Sequence, residues 1–263
     1  RALDLTPFGR ATQLLDQFGA LGEPGRPQWV TLRQKATGRI GDHAAAIGVV
    51  AIVDEFLRAA EDPGLIRDLA PQAKTLEGFL FPSTYRLTHA TTAPELCKMM
   101  TGEFRRQWTK LGTEGADARR AVTLASLVEK ETAAPEERPL IASVFTNRLN
   151  INMKLDCDPT TIYAALLDHR YRGVIHQSDL ASKNAYNTYQ NAGLPPGPIA
   201  NPGAQALAAA LHPADTKFLY FVAKPTGGAH QFSATIAEHE KAVVSYRQAA
   251  RHAASHVATK QSR

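Results

Sequence analysis

The stretch Asp117-Ala118-Arg119-Arg120-Ala121-Val122-Thr123-Leu124-Ala125-Ser126-Leu127-Val128-Glu129-Lys130-Glu131-Thr132 decides how the rest of the chain is read. Its residues are good helix formers throughout and Pro135 closes the run, so the spacing predicts a helix over Asp117–Thr132. At about 100° per residue, Glu131 falls on the stripe made by Leu124, Leu127 and Val128. Glu129 points roughly the opposite way, beside Val122 and Ala125. A carboxyl on an apolar stripe is desolvated, and the negative end of the helix dipole acts in the same direction. Both effects keep Glu131 protonated near neutral pH, as a general acid must be. The plain alternative is a last-turn residue that reaches solvent past Thr132 or is held by Arg138 or Arg148.

Outward from this helix, Thr92–Leu111 reads as an amphipathic helix with Leu96, Met99, Met100 and Phe104 on one face, and Glu137–Leu149 as a third helix. Gly193-Leu194-Pro195-Pro196-Gly197-Pro198 is too rich in proline for helix or central strand and reads as a rigid loop. Ala204–Leu211 reads as helix, Phe218–Ala223 as a buried strand, Gly227-Gly228 as a turn and Ile236–His252 as a terminal helix. Toward the N-terminus, residues 1–30 carry helix-like spacing at Leu14, Leu15 and Phe18. A short strand at Val30 and Leu32 and helices at Asp42–Val49 and Asp54–Ala60 follow. Breakers at Asp62-Pro63-Gly64 and Pro71 separate an N-terminal region, residues 1–70, from a second domain, residues 71–263. Helices and short strands are mixed without a regular βα alternation, which makes the fold class α+β.

The 263 residues are 44% hydrophobic and 21% charged, the balance of a globular chain, with a formal net charge of +5. No block of like charges reads as a nucleic-acid tail. The longest apolar run, Ala44–Val53, spans about half of the roughly 20 residues a membrane helix needs. Cys97 and Cys157 are too few for a zinc cluster or a disulfide framework and, read from sequence, are silent on function. The nine histidines are scattered, and His212 before Pro213 reads as structural. No phosphate loop, zinc motif or nucleophile elbow is present, so neither a metal nor a cofactor is expected.

Asn147-Arg148-Leu149 and Leu155-Asp156-Cys157-Asp158-Pro159-Thr160 place amide and carboxylate groups after the third helix. Asp158 has two readings, as a groove carboxylate or as the cap of a helix with proline at its first position. Tyr186-Asn187-Thr188-Tyr189 combines flat apolar faces with placed polar groups, as a sugar-binding wall does, or is an edge segment with exposed tyrosines.

Leu76-Glu77-Gly78-Phe79-Leu80-Phe81-Pro82-Ser83-Thr84-Tyr85, Ala125 to Thr132, Ala142 to Leu149, Asp158 to Tyr163, Ala185 to Gly203, Ala209 to Pro213 and Leu219 to Ala223 together resemble the endolytic murein transglycosylase (MltG, YceG-like) family. The resemblance covers residues 73–250 and implies that Glu131, the second glutamate of Glu-Lys-Glu, is the catalytic acid. It further implies a lytic cut of peptidoglycan glycan strands between N-acetylmuramic acid and N-acetylglucosamine, closing a 1,6-anhydro ring. Because the substrate supplies its own nucleophile, one carboxyl suffices. Glu77, Asn147, Asp158, Tyr186, Asn187, Thr188 and Tyr189 are expected to bind substrate in the same groove.

The family also implies an N-terminal membrane helix, absent from this chain, that anchors the protein at the extracytoplasmic, periplasmic face of the membrane. It implies partners among the cell-wall synthases and a LysM-like module, of which residues 31–60 look like an incomplete copy. Ser83 departs from the family pattern, which has aspartate there, so any role of that carboxylate is lost here or taken over elsewhere. Two rivals stand beside the lytic enzyme. One is a non-catalytic cell-wall-binding scaffold of the same fold, and the other is a muramidase that cuts with water.

Overall fold

The computed structural model describes residues 54–87, 91–132, 134–224 and 229–261, with side chains as far as residue 250. The features expected within residues 1–53 and the Gly227-Gly228 turn lie outside the described residues. In chain order the elements are α1 (54–60), a 3-10 turn at Pro63–Ile66, α2 (Ala93–Lys110), α3 (Ala118–Glu131), a 3-10 turn at Pro135–Glu137 and α4 (Arg138–Asn150). There follow α5 (Asp158–Leu167), α6 (Gln177–Leu180), α7 (Ala204–Leu211), β1 (Tyr220–Ala223), β2 (His230–Ser233) and α8 (Ile236–Gln261). The class is α+β.

Local signals account for the two longest core helices. Thr92 closes a capping box with Glu95 ahead of α2, and the Asp117 side chain accepts the Arg120 N–H at 3.0 Å ahead of α3. Each such cap is worth about 1 kcal/mol, and both helices lie within one residue of the expected bounds at each end. The amphipathic reading of α3 needs correction. Ala121 through Val128 are buried on every side, because α7 and the proline-rich loop cover the face of Val122 and Glu129, while α4 and α5 pack on α3 as well.

Gly78 shows how tightly that second face is covered. Its φ is +88°, and a Cβ there would lie 2.4 Å from Pro198 Cγ and 2.7 Å from Val122 Cγ1, so only glycine fits. The buried Asn201 side chain accepts the N–H groups of Gly78 (2.7 Å) and Leu80 (3.1 Å), tying the segment after the proline loop to the Glu77-Gly78-Phe79-Leu80 run. Phe79 and Phe104 meet edge-on at 5.0 Å in the core. Phe56, Ala60 and Ile66 sit in the same core as Leu76 and Phe104, although they precede the boundary expected near residue 70.

The strand expected at Phe218–Ala223 is shorter and half-buried. It pairs antiparallel with β2, Tyr220 opposite Ser233 and Ala223 opposite His230. His230-Gln231-Phe232-Ser233 is too short and too polar to announce a strand by periodicity. Helix α8 continues to Gln261 rather than stopping at His252.

Candidate functional site

Helix α3 ends abruptly. Thr132 turns extended (φ −141°, ψ 140°) directly after Glu131, so the acid occupies the last helical position. Its side chain is crowded by protein while the residue keeps some solvent access, being half-buried. Burial drives the carboxyl up to about 7, and the nearby Asp158 carboxylate pushes the same way. The Cys157 thiol, which donates a hydrogen bond to it, and the positive charges of His230 and Arg148 hold it from rising further. Glu131 therefore titrates between its two protonation states near neutrality, the condition for a group that first gives and then takes a proton.

The groups around it come from three directions. Cys157 and Asp158 enter from the start of α5, Arg148 from α4 and His230 from β2. The cap reading of Asp158 does not hold: Cys157 stands at the N-cap, and Asp158 is the first helical residue, with Pro159 next. The Asp158 carboxylate instead accepts the Tyr189 hydroxyl at 2.7 Å. Arg148 does not hold Glu131 in an ion pair. It donates to the carbonyls of Leu219 (2.6 Å), Lys154 (3.2 Å) and Leu155 (2.8 Å), and pairs with Asp156 at 3.6 Å. Arg138 goes to Gln205 and, at 4.0 Å, to Glu129.

The remaining expected site residues divide by environment. Asn187 and Thr188 are 0% and 1% exposed, so they build the site and present no surface to a glycan, a correction to the sequence reading. The Asn187 amide donates to the carbonyls of Asp179, Leu180 and Ser182, and its oxygen accepts from Thr161 and from the Tyr189 N–H. The Thr188 hydroxyl accepts the Cys157 N–H at 3.0 Å, which fixes the thiol beneath Glu131. Polar residues of this kind look like binding groups in sequence, but here their polarity satisfies buried backbone.

Asn147 spends its amide N–H groups on the carbonyls of Thr216 and Phe218, at 2.9 and 3.0 Å, holding the lead into β1. Glu77 accepts the Tyr163 hydroxyl in a short hydrogen bond, and Tyr163 packs on Tyr186 with ring centroids 4.8 Å apart. These three form a second cluster, near Lys130, whose charge feels Glu77. Ser83 is exposed.

Three residues around the end of α3 were not singled out as site residues by the sequence. Cys157 is buried and free, and burial together with the Glu131 carboxyl raises its thiol well above the ordinary range, keeping it a donor. His230 and Glu137 face each other across 93 positions of sequence, a separation that no local pattern reports.

Glu129 lies on the other side of α3, where its carboxylate accepts the Gly203 N–H at 3.2 Å, at the N-terminus of α7. Glu129→Gln is expected to lower the melting temperature slightly, through a loss of about 0.5–1 kcal/mol, and to leave most turnover intact. A variant as inactive as one lacking Glu131, yet fully folded, would show that Glu129 belongs to the site.

The described residues form an α+β domain in which Glu131 stands half-buried at the end of a helix. The model of the YceG-like family matches residues 23–245, and the chain belongs to that family. It is 39% identical over 176 residues to the endolytic murein transglycosylase of Bacillus subtilis (strain 168), a match covering 65% of this chain and 48% of that protein. It is 32% identical over 184 residues to the endolytic murein transglycosylase of Streptococcus pneumoniae serotype 2 (strain D39), covering 65% of this chain and 32% of that one. The chain thus spans about half or less of the curated relatives it matches. A crystal structure of a YceG-like protein from Listeria monocytogenes superposes with a TM-score of 0.62 at 30% identity, over 80% of this chain and 72% of that one.

Proposed function

We propose that this chain carries the catalytic domain of an endolytic peptidoglycan transglycosylase, with Glu131 as its single acid and base. The observation that carries this reading is the Glu131 carboxyl, half-buried at a helix end and raised to about 7. In the proposed reaction Glu131 protonates the glycosidic oxygen between N-acetylmuramic acid and N-acetylglucosamine, and the bond to the muramyl C1 breaks. The muramyl C6 hydroxyl then bonds to C1, its proton passing to the Glu131 carboxylate. The acid is regenerated and no water is consumed. Asp158, whose carboxylate lies near the acid and accepts the Tyr189 hydroxyl, and Tyr189 itself are the groups this reading assigns to contact with the sugar.

The resemblance further supports a partial LysM-like module within residues 1–70, an extracytoplasmic location with a membrane anchor, and cell-wall synthases as partners. The test of the acid is the pH dependence of strand release from purified sacculi. Since the reactive form is protonated, kcat/KM is expected to be full below about 7 and to fall as pH rises through it. A rate that climbs through that range would overturn the assignment of Glu131 as the acid.

A further inference from the structure

Glu137, only 6% exposed, is held by β2 on both carboxylate oxygens: Oε1 accepts the His230 N–H at 2.6 Å and Oε2 lies 2.6 Å from His230 Nδ1. The same Oε2 is reached by the Thr132 hydroxyl at 3.5 Å, and Thr132 is the residue that ends α3 after Glu131. Burial alone would raise Glu137, but the hydrogen bonds from His230 outweigh it and hold the carboxyl below its ordinary value. Phe221 and Phe232 flank the imidazole at 5.4 and 6.4 Å between centroids and leave its side chain 19% exposed.

We propose that Glu137 and His230 form a positioning pair for Glu131: Glu137 clamps the first residue of β2 to the end of α3, and the imidazole so fixed supplies positive potential to the acid. This rests on the reading of Glu131 as the acid and deepens it. When Glu131 gives up its proton to the leaving oxygen it becomes an anion, and the imidazole held in place by Glu137 favours that anion electrostatically. With Nδ1 committed to Glu137, the ring orientation is set by a buried carboxylate rather than by solvent. The other titratable groups facing this corner are Cys157 and Asp158 from the start of α5 and Arg148 from α4. Asp158 opposes the imidazole and Arg148 reinforces it.

The test compares the full chain with its His230→Gln and Glu137→Gln variants by carbon NMR titration of the Glu131 carboxyl, alongside strand release from sacculi across pH and thermal melting. In both variants the Glu131 titration and the descending limb of the rate profile are expected to move to higher pH, with a lower plateau rate. If the variants melt earlier while the titration stays where it is in the parent chain, the pair is only structural and the proposal is overturned. The titration reads the pair without turnover, so a parent chain that releases no strands while its Glu131 titration still responds to His230→Gln would sink the enzymatic reading and not the pairing. Should His230→Gln fail to fold, Glu137→Gln keeps the shape of the buried side chain and carries the same readout.

Discussion

Glu131→Gln is expected to lower strand cleavage by on the order of 10² to 10⁴ while making the protein more stable above neutral pH. The amide keeps the shape and can still accept from the Cys157 thiol, but it has no acidic proton, so the leaving oxygen departs unprotonated. The stability change follows from the same burial. A carboxyl raised from 4.5 to about 7 in the folded chain destabilises the fold only when ionised. Its cost is absent in acid, grows as pH rises past the unfolded value and is full above about 7. The gain in the variant should accordingly be small in acid and reach on the order of 2 kcal/mol in alkali, allowing for the solvent access of a half-buried group. Melting curves at acid and alkaline pH read this directly; equal melting temperatures for the two proteins at alkaline pH would mean the carboxyl is not desolvated.

Gly78→Ala is expected to cost about 2–5 kcal/mol, a large share of a typical fold's stability of roughly 5–15 kcal/mol. A left-handed φ costs an alanine about 1–2 kcal/mol. A Cβ at 2.4 Å from a proline ring and 2.7 Å from Val122 adds overpacking of about 1–3 kcal/mol. Neither neighbour is the free end of a flexible side chain: Pro198 is in the rigid loop and Val122 is fully buried in α3. Displacing the loop would also loosen the grip of Asn201 on Gly78 and Leu80, beside Glu77. Gly102→Ala is the contrast, since it lies inside α2 with nothing within 4 Å of a new Cβ and should stabilise by about 0.5–1 kcal/mol. Denaturant midpoints of the two variants should move in opposite directions; a Gly78→Ala midpoint equal to that of the parent would refute the packing argument.

What the sequence disclosed about the fold was what is local. The ranges of α2 and α3 were readable because helix-forming composition and helical periodicity operate over a few residues, and Ala204–Leu211 was readable to the residue for the same reason. The opposed directions of Glu129 and Glu131 came from helix geometry alone, and the structure turns one toward α7 and the other toward α5 and β2. Burial on the second face of α3 was not legible, because it depends on where the proline loop returns. Nor was the neighbourhood of the acid: Cys157 looked inert and His230 was one histidine among nine, since their importance arises from contacts between distant segments. Asn187 and Thr188 show the converse, side chains whose polarity suggested a ligand and serves buried backbone instead.

Mass spectrometry of the muropeptides released from purified sacculi by the parent chain, Glu129→Gln and Glu131→Gln tests the role of Glu131 most directly. Anhydro-muramyl ends, one water lighter than reducing ends, are expected from the first two proteins and at least about a hundredfold fewer from the third. Reducing ends would instead indicate hydrolysis, and anhydro ends from Glu131→Gln with none from Glu129→Gln would contradict the assignment of the acid outright.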